Sequence, residues 1–399
     1  MYLHLVKSTN PGTITEIETT IDKKGKTLFK YLFFAFGACN DGYKFMRKVI
    51  VIDGTVMKGK YKGCLVAASG QDGNMQIYPL AIGVVEVEDD AGWVWFFKNL
   101  IKFVPEVYPM AHLAACAFHL FRNVKHKYNC GGLAGLVSKA GRAYTVGDFR
   151  YWWRQIEETK PECAEYLLNI GLPHWTLSHF TGNCYNLISS NISESLNAAM
   201  HKGVEYPIVS MVEFIRAMLM RWFWCRRTFT GKTRSKCTPE IEELLIDHLK
   251  ESLNYAVLGA TDWIYQVNDA VGCEFTVDLE KKTCTCRVFD FLKIPCCHTL
   301  AACRVRNIDP YSLISECYFV GPWREKYKGV LMPCPNERDC DIPIELTEVP
   351  VNPPRTKRGG GRPKNKRIPS QGEVDHGTTG KLARRSYDEV KMMFALLTP

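Results

Sequence analysis

Apolar and polar positions recur with two periods along the chain, and the switches between them outline its elements. Lys48–Asp53 (KVIVID) is β-branched and ends in an acid. Lys60–Ser69 (KYKGCLVAAS) and Ile77–Val87 (IYPLAIGVVEV) follow, separated by the turn Gln71-Asp72-Gly73-Asn74. Asp-Gly between two such runs signals a hairpin, because glycine tolerates the positive φ of a tight turn. A three-stranded antiparallel meander is predicted. Leu28–Cys39 (LFKYLFFAFGAC) is a short apolar run that reads as a buried helix. Trp93, Phe96, Phe97 and Leu100 fall at helical spacing, so Trp93–Phe103 is predicted helical, as are Ala111–Tyr128 and much of 147–230. Ser210–Arg227 places Met211, Phe214, Ile215, Met218, Leu219 and Trp222 on one face. Thr238–Leu258 is predicted as a helix capped by Thr238, with Pro239 first and Ile241, Leu244, Leu245, His248 and Leu249 as its stripe. Strands return at Trp263–Val267 and Glu274–Leu279.

Composition sharpens this outline. A chain of 399 residues that is 46% hydrophobic can bury a sizeable core, and its length suggests two or three domains. No run of about 18 apolar residues exists, so no transmembrane helix is expected. Met1–Lys26 lacks the order of a secretory signal, which points to an intracellular protein with reduced or metal-bound thiols rather than disulfides. The net charge of +9 is unevenly placed. Residues 350–399 hold 11 of the 51 basic and 4 of the 42 acidic residues, so they carry most of it. From Pro350 the chain turns rich in Pro, Gly, Lys and Arg and reads as a disordered tail. Nine of the 17 cysteines lie between Cys273 and Cys340.

The most specific local pattern sits among those cysteines. Cys284 and Cys286 are two apart on a predicted strand and share a face. Cys296 and His298 follow after nine intervening residues, just before the helical stretch Thr299–Arg306. Three thiolates and an imidazole complete a closed tetrahedral zinc site, which is structural because no position stays open for substrate. Cys297 reads as a spacer, with an exchange for Cys296 left open.

Val277–Ala302 (VDLEKKTCTCRVFDFLKIPCCHTLAA) resembles a SWIM zinc finger. Val51–Gly63 (VIDGTVMKGKYKG), Asp72–Gly83, Trp93–Leu100, Pro109–Asn123 (PMAHLAACAFHLFRN) and Asn191–Asn197 (NISESLN) resemble the plant Mutator-like element (MULE) transposases, in the same order. The resemblance implies an α/β chain. Residues 1–45 would be a remnant of an N-terminal helical region. Residues 46–230 would form a ribonuclease H-like transposase domain with a helical insertion. A helical connector (231–262), a SWIM finger region (263–330) and a disordered basic tail (350–399) would follow.

The resemblance also implies a triad of two aspartates and a glutamate that holds two Mg²⁺ or Mn²⁺ ions for phosphodiester chemistry. Asp53 in VIDGT matches the first acid and Glu194 in NISESLN the third. The second should end a fourth strand between the Trp93 helix and Cys116, yet only 22 residues separate the two and no aspartate occurs from Asp90 to Asp148. Glu106 is the one acid there, in a Pro-containing segment (FVPEV) ill suited to a central strand. That fourth strand and its aspartate read as missing, so an inactive relic is expected, with Mg²⁺ or Mn²⁺ relevant only to an active core. Cys116-x-x-His119 shares a helix face and reads as a packing pair, since no second half of a metal site is evident.

Arg355–Arg367 (RTKRGGGRPKNKR) carries seven basic residues and no acid, around a Gly-Arg-Pro that resembles an AT-hook. Such a segment fits the narrow minor groove of A·T tracts. Arg358, Arg362, Lys364, Lys366 and Arg367 are the candidate DNA contacts, and a nuclear localisation signal is the companion reading. DNA is the expected partner, through this tail and the finger, and the finger offers a surface to protein partners. Three functions follow from these features: a catalytically impaired zinc-binding transposase derivative, a working transposase, or a domesticated nuclear regulator.

Overall fold

The computed structural model describes residues 1–59, 61–104, 112, 114–187, 191–335, 340, 343, 351–353 and 392–393. The chain opens with α1 (Tyr2–Thr9), then β1 (Ile14–Ile21), β2 (Thr27–Ala35) and α2 (Gly37–Tyr43). The buried helix expected over Leu28–Cys39 is therefore a strand followed by a short helix, and the helical reading of 1–45 gives way to a hairpin. A fully apolar run carries no period of its own, and here the decision comes from β1. Its sequence ITEIETTI pairs with β2 from Ile14↔Ala35 to Ile21↔Thr27. The turn is fixed by Asp22, whose Oδ1 accepts from the backbone N–H groups of Lys24 (2.8 Å) and Lys26 (2.9 Å).

The predicted meander is present as β3 (Val51–Val56), β4 (Cys64–Gln71) and β5 (Ile77–Val85). One five-stranded antiparallel sheet results, in the order β1-β2-β5-β4-β3. The register sets Asp53 beside Ala67, and Ala67 beside Ile82. α3 (Asp90–Phe103) crosses one face, capped by Asp89, whose carboxylate accepts from Gly92 N–H at 2.8 Å. A Cβ at Gly83 would lie 2.5 Å from the Phe96 ring, so glycine there is what lets α3 approach. Tyr31 and Phe33 of β2 meet Trp95 and Phe96 of α3 at ring-centroid distances of 5.2 and 5.5 Å.

A two-residue strand β6 (Ala114–Ala115) leads into α4 (Ala117–Tyr128), α5 (Leu133–Arg142), α6 (Val146–Thr159) and α7 (Pro161–Ile170). These helices enclose a separate core that includes Leu120, Val137, Phe149, Ile156 and Leu167. α8 (Asn191–Ala199) and α9 (Ile208–Lys232) return to the main core, where Leu196, Met211, Ile215, Leu219 and Phe223 are buried. α10 (Pro239–Ser252) follows. Its N-terminus is served from a distance: Asn74 Oδ1 accepts from Glu240 N–H, while the Thr238 hydroxyl donates to Gly73 O instead of capping.

The predicted helix to Leu258 stops at Ser252, and Ala256–Gly259 forms β7. With β8 (Ile264–Asn268), β9 (Glu274–Asp278) and β10 (Thr283–Cys284) it makes a second antiparallel sheet, ordered β10-β9-β8-β7. Two short helices, α11 (Val288–Leu292) and α12 (Cys297–Arg306), and then α13 (Val320–Lys326) complete this half. Most of the tail expected to be disordered lies outside the described residues. Its described parts pair with the body: Asn352 exchanges backbone hydrogen bonds with Thr27 and Phe29, and β11 (Met392–Met393) runs antiparallel to β6. Among the described residues the chain is mixed α/β, with antiparallel sheets of five and four strands beside the two-stranded β6–β11 pair.

Candidate functional site

The second sheet delivers two thiols and the start of α12 delivers the other two ligand groups. Cys284 ends β10, and the chain then turns through Arg287 in the left-handed region (φ 65°). Cys286 lies in that turn, while Cys296 and His298 flank the first turn of α12. The four ligand atoms all lie within 4.8 Å of one another. Sγ of Cys286 is 3.6 Å from Sγ of Cys296, and Nδ1 of His298 is 3.7 Å from Cys284 Sγ and 3.8 Å from Cys296 Sγ. Zinc–thiolate bonds of about 2.3 Å at tetrahedral angles imply sulfur–sulfur edges of about 3.7 Å. The donor set and its spacing therefore fit a closed Cys₃His site. Hydrogen bonding with Cys284 and Cys286 holds the Cys296 thiol well below its ordinary range, which favours a thiolate at the N-terminus of α12.

The surroundings hold these groups in place. The His298 ring is stacked between Phe275 (3.9 Å between centroids) and Tyr255 (5.3 Å). Asp290 accepts from Cys284 N–H at 3.0 Å, and the Thr299 hydroxyl lies 3.2 Å from Cys296 Sγ. Cys297 is outside the cluster, and its sulfur accepts from the Tyr255 hydroxyl at 3.6 Å. Tyr255 and Phe275 were not legible as part of the site, because neither belongs to the cysteine spacing.

The acidic positions assemble differently. Asp53 sits mid-strand on β3, 7% exposed, on the sheet face opposite α3. α8 packs on that face against β3, β4 and β5. Ser193 anchors it, with its hydroxyl donating to Val51 O (3.0 Å) and lying 2.9 Å from the Ser69 hydroxyl. One turn on, Asn197 Nδ2 donates to Asp53 Oδ2 at 3.4 Å. Glu194, half-buried, lies in the first turn of the same helix, next to Ser193. Ser193 and Asn197 are the residues that make this sheet–helix junction, and their i, i+4 spacing within NISESLN was the available signal. Among the described residues no third acid completes a three-ligand cluster with Asp53 and Glu194. Glu106 lies outside the described residues.

Asp72 has another occupation. It is fully buried, and Oδ1 accepts from the N–H groups of Asn74 (2.9 Å) and Gln76 (2.8 Å). Oδ2 accepts from Trp323 Nε1 and the Tyr327 hydroxyl, both at 2.8 Å. Its four hydrogen bonds clasp α13 to the β4–β5 hairpin and leave the carboxylate committed. Cys116 and His119 are buried, at the N-terminal turn of α4, and join no metal-binding cluster among the described residues. Cys116 packs with Val49, Val51 and Ile192 beneath the acidic junction. Arg358, Arg362, Lys364, Lys366 and Arg367 lie outside the described residues.

Comparison with known proteins meets both regions. Residues 275–307 match the SWIM zinc finger family, and residues 49–106 match the MULE transposase domain. No curated protein and no solved structure matches the chain. Over these two segments, the MULE domain first and the SWIM finger after it, the chain is similar to MULE transposases with a SWIM finger.

Proposed function

We propose that this chain is a transposase-derived, zinc-dependent protein that associates with DNA in the nucleus and has lost efficient phosphodiester chemistry. The observation that carries the zinc half is the coincidence of the Cys284, Cys286, Cys296 and His298 cluster with the SWIM match. Bound there, zinc supplies a rigid cross-link between β10 and α12 and no Lewis-acid site, since four protein ligands close its tetrahedron. The ribonuclease H-like reading of the larger sheet draws on its meander, on α3 and on the seat of Asp53 beside α8. The catalytic half rests on the carboxylate inventory. Two acids at one junction hold divalent ions more weakly than three and position two ions poorly. Asp72, another carboxylate within the matched segment, is spent on Trp323 and Tyr327. Affinity for DNA is assigned to Arg358, Arg362, Lys364, Lys366 and Arg367, with the finger surface free for protein partners.

Metal analysis of the purified chain tests the first half: one zinc per chain is expected, and none in Cys284→Ser. Chromatin association tests the second. Association that survives Asp53→Ala but falls when the five basic residues are replaced by alanine supports the reading. Association indifferent to both changes refutes the tail assignment.

A further inference from the structure

The stretch from Phe214 to Pro239 holds no acidic residue and carries seven basic ones. Three of them serve the fold. Arg216 grips Glu213 with two hydrogen bonds of 2.6 and 2.8 Å, Arg226 donates to Ile77 O and the Tyr327 hydroxyl, and Arg227 donates to the carbonyls of Tyr327 and Gly329. Lys236 pairs with Asp309 at 3.3 Å. Arg221, Lys232 and Arg234 are exposed and have no ion pair among the described residues. Arg221, Trp224, Thr228 and Lys232 fall three or four residues apart and form one stripe along the C-terminal half of α9. Trp224 is 61% exposed, and no aromatic ring packs on it among the described residues. Arg324 joins the same end, since its guanidinium donates to Thr230 O and Thr233 O at the last turn of α9.

One exposed indole alone needs no explanation, but here it stands in a row with cations that make no ion pair among the described residues. Cations in a row neutralise phosphates, and a bare indole offers a stacking platform for a base. Duplex DNA hides its base faces, so the matching polyanion is one with unpaired bases. We propose that this stripe of α9 binds single-stranded DNA, with Arg221, Lys232, Arg234 and Arg324 on phosphates and Trp224 stacked on a base. The inference rests on the DNA-associated reading above but uses a different surface from the tail, which is suited to duplex A·T tracts.

The two surfaces separate by experiment on the full chain. Binding of a labelled oligothymidylate and of a labelled A·T duplex is followed by fluorescence anisotropy over a salt series. The background carries alanine at Arg358, Arg362, Lys364, Lys366 and Arg367. That background is expected to lose duplex affinity and to keep oligothymidylate binding. Trp224→Ala then weakens oligothymidylate binding roughly tenfold with its salt slope kept. The triple change Arg221→Ala, Lys232→Ala and Arg234→Ala lowers the salt slope by about 2. All four positions are exposed, so an unchanged urea midpoint certifies the fold of each variant. The inference is overturned if the background binds no oligothymidylate, or if both α9 variants bind it as the background does. Failure of the parent chain to bind either DNA would instead overturn the DNA reading itself.

Discussion

The finger and the acidic junction are both motif-built sites, yet they are held together in opposite ways. In the finger, four ligands from one short stretch converge with their edges already near tetrahedral values, and stacked rings and hydrogen bonds lock them. At the junction, Asp53 and Glu194 come from distant stretches, and Asn197 ties the strand acid to the helix through a long hydrogen bond of 3.4 Å. A closed site is complete within its own motif, so losing sequence elsewhere leaves it intact. A catalytic site drawn from several elements fails when one is shortened, and under the proposed reading the sequence between Trp93 and Cys116 is the shortened one.

The comparison can be broken from the finger side first. Cys296→Ser or a strong chelator should abolish zinc binding and unfold β10 and α12, since about 10–16 kcal/mol of apparent metal-binding free energy is at stake. Retained near-ultraviolet dichroism and proteolytic resistance in metal-free protein would contradict this. Next comes the buried carboxylate of Asp72. Asp72→Ala should cost roughly 3–5 kcal/mol in urea unfolding, because it strands the Trp323 and Tyr327 donors in the core.

Lys326 gives the next effect, of opposite sign. It is fully buried, its ammonium has no hydrogen-bond partner among the described residues, and burial pulls it from 10.5 down to about 8. Its folded pKa is the lower one, so the folded state is penalised below pH 8 and relieved as pH rises towards 10.5. Lys326→Met should therefore stabilise the protein at pH 7 by up to about 3 kcal/mol and flatten the rise between pH 8 and 10. Urea midpoints across pH measure it. Smallest is Asp53→Ala, expected to shift stability by under about 1 kcal/mol, since its hydrogen bond from Asn197 is long at 3.4 Å.

How much of this was legible follows from where the information lies. The meander, α3 and the cysteine cluster were readable because each is specified locally, by alternation, by a cap or by ligand spacing. β2 was not, since LFKYLFFAF is apolar throughout and only pairing with β1 decides its form. β7 was lost to the preceding helix for a similar reason: Ala256–Gly259 takes its strand identity from β8. The role of Asp72 needed Trp323 and Tyr327, some 250 residues away in sequence. The Ser193 and Asn197 contacts were half legible, present as spacing but without the strand they face.

In the proposed function a complete zinc finger sits beside an incomplete catalytic centre. Mn²⁺-dependent nicking of supercoiled DNA by zinc-loaded protein, run beside Asp53→Ala, decides this. The two should be indistinguishable from buffer. Cleavage by the parent chain that disappears in Asp53→Ala would show a working centre and contradict the claim.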